Sequence, residues 1–120
     1  MKSYMKPLII FDNILNYLLG IVFAFFPLTF QSWISPNEIL PKWLWILFGI
    51  GFLLFAGWQT YNLKKGFSKR DRVFASVMAL IPVVALTIAL LLPLKLYLVA
   101  RILLWLGDLY MFVLGILYLH

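Results

Sequence analysis

The sequence contains no cysteine, and only four of its 120 residues are acidic. Without cysteine there can be no disulfide, no thiolate nucleophile, and no zinc or iron–sulfur site built on thiolates. The one histidine, His120, is the last residue, and we interpret it as a frayed terminus or part of an expression tag rather than a ligand. The sequence therefore predicts no cofactor and no metal site.

Charge is scarce in general. Charged residues make up 12% of the chain and hydrophobic residues 65%, whereas an average soluble domain is about half apolar and roughly a quarter charged. A soluble chain of 14.0 kDa could not bury this much apolar surface, because small domains leave much of their area in water. Disorder is excluded as well, since disordered chains are poor in aromatic residues and 18% of this chain is aromatic. The composition predicts an integral membrane protein.

Four apolar segments are long enough to cross a bilayer, for which a helix needs about 20 predominantly apolar residues. They cover about residues 8–26, 43–61, 73–92 and 96–119. Pro27 and Pro93 follow two of them, as expected where a helix must stop. No small-residue cleavage site follows the first segment, so we interpret it as a retained helix rather than a signal peptide. The predicted fold is all-α, an integral membrane four-helix bundle that forms a single domain over residues 1–120.

Basic residues in short loops predict the orientation of such a bundle. One side would carry Lys2, Lys6, Lys64, Lys65, Lys69, Arg70 and Arg72, and the other only Lys42 and Lys95. We therefore expect a multi-pass protein of the cell inner (plasma) membrane with both termini cytoplasmic. The 31–42 loop and a tight 93–95 turn would then lie outside.

The basic stretch over residues 64–72 has two interpretations. It sets topology, or it also contacts anionic lipid headgroups, with Phe67 entering the interface. It is too short for nucleic-acid recognition, and no folded binding module accompanies it.

Small residues recur at intervals that suit close helix packing in lipid. They include Gly20, Gly49, Gly57, Gly107 and Gly115. We predict that helices approach each other closely at these positions.

Three ionisable residues lie within the predicted spans, where such groups are costly and usually face the bundle interior. Asp108 is near the middle of the fourth span, and Arg101, seven residues earlier, lies on nearly the same face together with Trp105. Asp12 lies in the first span beside Asn13 and Asn16.

From their positions in the predicted spans, Gln59 and Ser76 are expected at the same depth as these polar groups, in the inner half of the bundle. The predicted ligand- or ion-binding residues are Asp108, Asp12, Asn16, Asn13, Gln59, Arg101 and Trp105. The alternative is that these groups satisfy one another and hold the helices in register. Arg101 could also snorkel to the outer headgroups, and Asp12 could snorkel or cap its helix.

No nucleophile–base pair, metal-ligand cluster or phosphate-binding glycine loop is present, so we identify no catalytic residue and do not favour an enzyme. We expect an accessory protein, or one that binds lipid or a small hydrophobic ligand, with an inward-facing polar cluster around Asp108. The alternative is a small proton- or cation-coupled transporter that acts as a dimer. The expected partners are membrane lipids, another membrane protein or a second copy, and not nucleic acid.

The run from Asp12 to Gly20, followed by Phe26-Pro27, resembles the first helix of uncharacterised small four-helix bacterial inner-membrane proteins. Gly49, Gly51 and the basic inner loop continue this pattern, which is distantly similar to DoxX-like proteins in appearance. The resemblance implies the four-helix architecture and no particular activity.

Overall fold

A computed structural model describes residues 5–93 and 95–119, and this part of the chain is entirely helical where it is regular. The helices are α1 (Met5–Phe25), α2 (Pro27–Ile34), α3 (Lys42–Lys65), α4 (Lys69–Leu91) and α5 (Leu98–Tyr118). All except α2 are long and apolar enough to cross a membrane, which confirms the all-α prediction with four long apolar helices. Lys2, His120 and one residue of the predicted 93–95 turn lie outside the described residues.

Helix α2 was not predicted, because its residues fall partly in the expected 31–42 loop. Pro27 does end α1, but it also begins α2, where its missing N–H would have no helical partner in any case. Backbone bonds continue around the break, since Phe26 N donates to the Val22 carbonyl at 2.8 Å and Phe30 N donates to the Phe26 carbonyl at 3.0 Å. The chain is thus interrupted at Phe26 without a true loop.

The helices around the basic stretch extend beyond their apolar runs. Helix α3 continues to Lys65 and ends at Gly66, whose φ of 94° is readily adopted by glycine. Helix α4 starts at Lys69 because Ser68 and Asp71 form a capping box. The Ser68 hydroxyl accepts from Asp71 N at 3.1 Å, and Ser68 N donates to the Asp71 carboxylate at 3.0 Å. The apolar segments alone did not predict that the helices continue through these polar residues.

The chain divides into two compact units. Helices α1 and α3 and residues 27–33 of α2 form the first, here called the first hairpin. Helices α4 and α5, together with residues Ile34–Pro36, form the second hairpin. Sequence patterning did not predict this division.

In the first hairpin, α1 and α3 approach most closely at two glycines. A Cβ on Gly49 would lie 2.5 Å from Ala24 N and 2.8 Å from the Gly20 carbonyl oxygen. A Cβ on Gly20 would lie 2.6 Å from Cγ of Leu53. Close packing is therefore confirmed at Gly20 and Gly49. The prediction of close packing was wrong for Gly57, where an added Cβ would meet no atom of another helix within 4 Å.

An aromatic cluster fills the end of the first hairpin where α1 meets α2. The ring of Phe23 lies 4.6 Å from that of Phe30, 5.4 Å from that of Trp45 and 5.6 Å from that of Phe52, centroid to centroid. Edge-to-face and tilted pairs at such distances add stability beyond the burial of area. These rings join α1, α2 and α3.

Gln31 fixes the connection between α2 and α3. Its buried carbonyl oxygen Oε1 accepts from the backbone N–H groups of Ile39 (2.8 Å) and Leu40 (2.9 Å), and from the Trp45 indole (3.1 Å). One side chain on α2 thereby satisfies two amides of a segment that has no helical partner for them.

In the second hairpin, the Ser76 hydroxyl donates to the Gly115 carbonyl at 2.7 Å and joins α4 to α5. A Cβ on Gly115 would lie 2.8 Å from the side chain of Leu80, so the predicted close packing is confirmed there. The prediction of close packing was wrong for Gly107, where an added Cβ would have no neighbour within 4 Å. The backbone of Tyr97 donates to the Ile34 carbonyl at 3.0 Å, which ties the segment before α5 to Ile34–Pro36.

Candidate functional site

The first hairpin contains a polar network, here called the Asp12 cluster, made of Asp12, Asn13, Asn16, Tyr17, Gln59 and Thr60. Asp12 Oδ2 accepts from Nε2 of Gln59 at 2.8 Å and from Nδ2 of Asn16 at 3.1 Å. Gln59 Oε1 in turn accepts from Asn16 at 2.8 Å and from Asn13 at 3.3 Å. Gln59 is 0% exposed, and Asp12 and Asn16 are also buried.

Further hydrogen bonds close this network. Asn13 Nδ2 donates to the Ala56 carbonyl at 2.8 Å, and Thr60 Oγ1 donates to Asn13 Oδ1 at 3.2 Å. The Tyr17 hydroxyl lies 2.9 Å from the Thr60 hydroxyl. Four of the residues predicted from the sequence therefore come together, and they bond mainly to one another. This arrangement favours the interpretation that the cluster holds α1 and α3 in register.

Asp108 is placed differently. It lies ten residues from either end of α5 and is 5% exposed. Its Oδ2 accepts from the Thr87 hydroxyl at 2.5 Å. Its other oxygen, Oδ1, is buried and has no hydrogen-bond partner. Asp108 is therefore a half-satisfied carboxyl group in the middle of an apolar helix.

The sequence reasoning missed Thr87 and expected Ser76 near Asp108. Side chains on a helix point back toward its N-terminal end, so Asp108 reaches toward the start of α5. Thr87, four residues before the end of α4, lies at that level. Ser76 is near the opposite end of α4 and bonds to Gly115 instead. The sequence did offer one indication of Thr87, which is a lone hydroxyl residue in an otherwise apolar run.

Arg101 has a separate role in the second hairpin. Its Nη1 donates to the Leu90 carbonyl at 2.9 Å, and the last carbonyls of a helix have no partner within the helix. Arg101 thus caps the end of α4. Trp105, predicted to share the face of Asp108, is 40% exposed.

Asn62 on α3 is a second residue that the sequence reasoning missed. It is 1% exposed, its Nδ2 donates to the Trp58 carbonyl at 2.9 Å, and its Oδ1 is buried without a partner. An amide oxygen costs less to leave unpaired than a carboxylate oxygen. Of these two orphaned oxygens, that of Asp108 is the stronger indication of a binding site.

Within residues 5–93 and 95–119, no three histidine, cysteine or acidic side chains are grouped so that they could hold a metal ion. No protein-family model, curated protein or solved structure matches the chain.

Proposed function

We propose that this chain is a multi-pass protein of the inner (plasma) membrane with both termini on the cytoplasmic side. Four helices long and apolar enough to cross a membrane support insertion. The excess of lysine and arginine at the end of α3, at the start of α4 and near the start of α1 supports the orientation.

Within the membrane, the protein binds a lipid or a small hydrophobic ligand through Asp108, as an accessory or binding protein rather than an enzyme. The observation that carries this proposal is the buried, unpartnered Oδ1 of Asp108. A carboxyl oxygen without a donor in an apolar setting is strongly disfavoured. A ligand with an amine, amide or hydroxyl group would supply the missing donor.

The Asp12 cluster supports this assignment by contrast. Asp12 also lies in a long apolar helix, but its Oδ2 already accepts from Gln59 and Asn16. Asp12 is therefore assigned to helix packing and Asp108 to ligand binding. The two carboxyl groups make a matched pair for experiments.

The ligand is expected to be largely apolar. Trp105 and Phe112, three residues before and four residues after Asp108, are exposed on α5. They lie one helical turn from Asp108 on either side. A molecule with an apolar body and one donor group fits these neighbours better than a polar solute does.

The runner-up is a small proton- or cation-coupled transporter that acts as a dimer. The same Oδ1 favours it, because a proton or a cation would also satisfy the free oxygen of Asp108. The two functions can be distinguished by experiment, because a transporter would move protons or cations across the membrane and a binding protein would retain its ligand.

The test compares Asp108→Asn with Asp12→Asn and Thr87→Val. Each protein is purified in mild detergent, and its bound small molecules and lipids are identified by native mass spectrometry. We expect an adduct on the wild type and on Asp12→Asn that Asp108→Asn has lost, with the melting temperature of Asp108→Asn close to that of the wild type. Thr87→Val retains the carboxyl group and is expected to retain the adduct.

An Asp108→Asn protein that carries the same adducts as the wild type would overturn the ligand proposal. If Asp108→Asn fails to fold, adduct binding by Thr87→Val decides whether the carboxyl group acts beyond its hydrogen bond. For the transporter, reconstituted wild-type protein would dissipate an imposed proton or sodium gradient and Asp108→Asn would not.

A further inference from the structure

A shallow groove that is largely open to the surroundings lies on the surface of the first half of α4, and its lining residues are Lys69, Arg70, Val73, Phe74 and Val77. Positions 70, 73, 74 and 77 follow the three-and-four spacing of a single helix face. The apolar stems of two basic side chains line one end of the groove, and three exposed apolar side chains line the rest of its length. This surface is amphipathic along the helix axis.

The start of α4 does not itself offer a free anion site. Ser68 and Asp71 use each other's backbone N–H groups and side chains in the capping box. An anion at this end would therefore be held by the flexible side chains of Lys69 and Arg70. The guanidinium group of arginine matches the geometry of a phosphate, and lysine adds a point charge.

We propose that this groove binds one anionic phospholipid of the cytoplasmic leaflet. The phosphate is held by Lys69 and Arg70, and an acyl chain lies along Val73, Phe74 and Val77. The rise from Lys69 to Val77 is about 12 Å, which takes the lipid from headgroup level into the hydrocarbon layer. The inference rests on the proposed insertion with the start of α4 facing the cytoplasm.

Charge complementarity selects this occupant. Both ionisable side chains that line the groove are basic, so an anionic headgroup compensates their charge better than a zwitterionic one, whose ammonium group they repel. Basic residues at an anionic surface each contribute about 1 kcal/mol. The site is distinct from Asp108, because Asp108 needs a hydrogen-bond donor whereas Lys69 and Arg70 supply donors.

The test measures adducts of phosphatidylglycerol and of phosphatidylcholine with matched acyl chains on the purified full chain, by native mass spectrometry titration. The double variant Lys69→Gln/Arg70→Gln is compared with Lys64→Gln/Lys65→Gln, which removes the same charge from exposed residues that do not line the groove. We expect the first pair to weaken phosphatidylglycerol binding roughly 30-fold, from two such contacts, and the second pair to weaken it only slightly.

Equal losses in both double variants would overturn the proposal, because binding would then depend on the net charge of the segment rather than on the groove. Equal affinity of the wild type for both lipids would overturn it as well. Soluble glycerol phosphate is added as a competitor. Competition at the concentration of the lipid would show a site for free phosphate and not for a lipid.

A separate experiment tests the proposed orientation independently of lipid binding in the groove. Since the chain has no cysteine, Lys64→Cys places a single thiol at the start of the basic stretch. In intact cells it should be protected from a membrane-impermeant maleimide and become labelled after lysis. Labelling without lysis would overturn the orientation and with it the assignment to the cytoplasmic leaflet, whereas the comparison of the two double variants tests the groove itself.

Discussion

Asp12 on α1 and Gln59 on α3 are 47 residues apart in the sequence, and 2.8 Å separates Oδ2 of Asp12 from Nε2 of Gln59. Asn16 bonds to both side chains. The three residues form a closed triangle of hydrogen bonds inside the first hairpin. A carboxyl group that costs much when isolated becomes part of the packing when its donors are built in.

Asp12→Ala is expected to lower the free energy of unfolding by about 1–3 kcal/mol, because it leaves the buried amides of Gln59 and Asn16 without this acceptor. The measurement is unfolding in mixed micelles by titration with a denaturing detergent. A double-mutant cycle with Gln59→Ala should give a coupling energy of about 0.6–1.7 kcal/mol. A coupling energy near zero would contradict the role assigned to this pair.

Two glycines of α3 are expected to respond in opposite ways to alanine. Gly49→Ala should destabilise the protein by about 1–3 kcal/mol, because the new methyl group meets the backbone of α1, which cannot move aside easily. Gly57→Ala is the matched control, since it meets nothing within 4 Å, and it should be neutral or stabilising by up to about 1 kcal/mol. Thermal unfolding monitored by circular dichroism gives both values. Equal melting temperatures for the two variants would contradict the close approach of α1 and α3.

Gln31 is expected to control the order of the segment before α3. Gln31→Leu removes the acceptor for the amides of Ile39 and Leu40, and Gln31→Glu retains an oxygen at that position. Hydrogen exchange at residues 39 and 40 should therefore accelerate at least tenfold in Gln31→Leu, corresponding to about 1.4 kcal/mol or more per lost acceptor. Exchange in Gln31→Glu should stay close to the wild type. Unchanged exchange in the leucine variant would show that other groups order this segment.

Arg101 is expected to act as a cap on α4. Arg101→Met retains the apolar stem and removes the bond to the Leu90 carbonyl, so we expect a loss of about 1 kcal/mol in the free energy of unfolding. Arg101→Lys should recover part of this loss through its remaining charge near the helix end. Unfolding titrations of the three proteins provide the comparison. If the methionine variant is as stable as the wild type, the hydrogen bond to Leu90 contributes nothing to stability.

Hydropathy predicted the four long helices well, because the length and apolarity needed to cross a bilayer leave few alternatives. It misplaced their ends where polar residues continue a helix. Ser68 and Asp71, spaced as a capping box, were a readable signal for the start of α4 at Lys69. Helix α2 was harder to find, because a proline that stops one helix can also start the next.

The candidate site was partly readable from the sequence. The three-and-four spacing and the common depth correctly brought Asp12, Asn13, Asn16 and Gln59 together. The position along the membrane normal did not predict the partner of Asp108. A side chain does not lie at the level of its own Cα but is displaced toward the N-terminal end of its helix. Which hydroxyl Asp108 meets depends on how α4 and α5 are aligned, and no local pattern encodes that alignment.

The break at Phe26 sets the length of α1, which can be compared with the thickness of a bilayer. With 21 residues, α1 alone rises about 32 Å, close to the roughly 30 Å of a typical hydrocarbon layer. If the chain is inserted as proposed, α2 adds about 12 Å beyond that length and would lie at the level of the lipid headgroups, where the exposed indole of Trp33 would be well placed. Because Phe30 and Gln31 hold α2 against Trp45 of α3, a thinner or thicker bilayer would change the depth of α2 among the headgroups rather than bend the chain at Phe26, and the α1–α3 contact at Gly20 and Gly49 would stay intact.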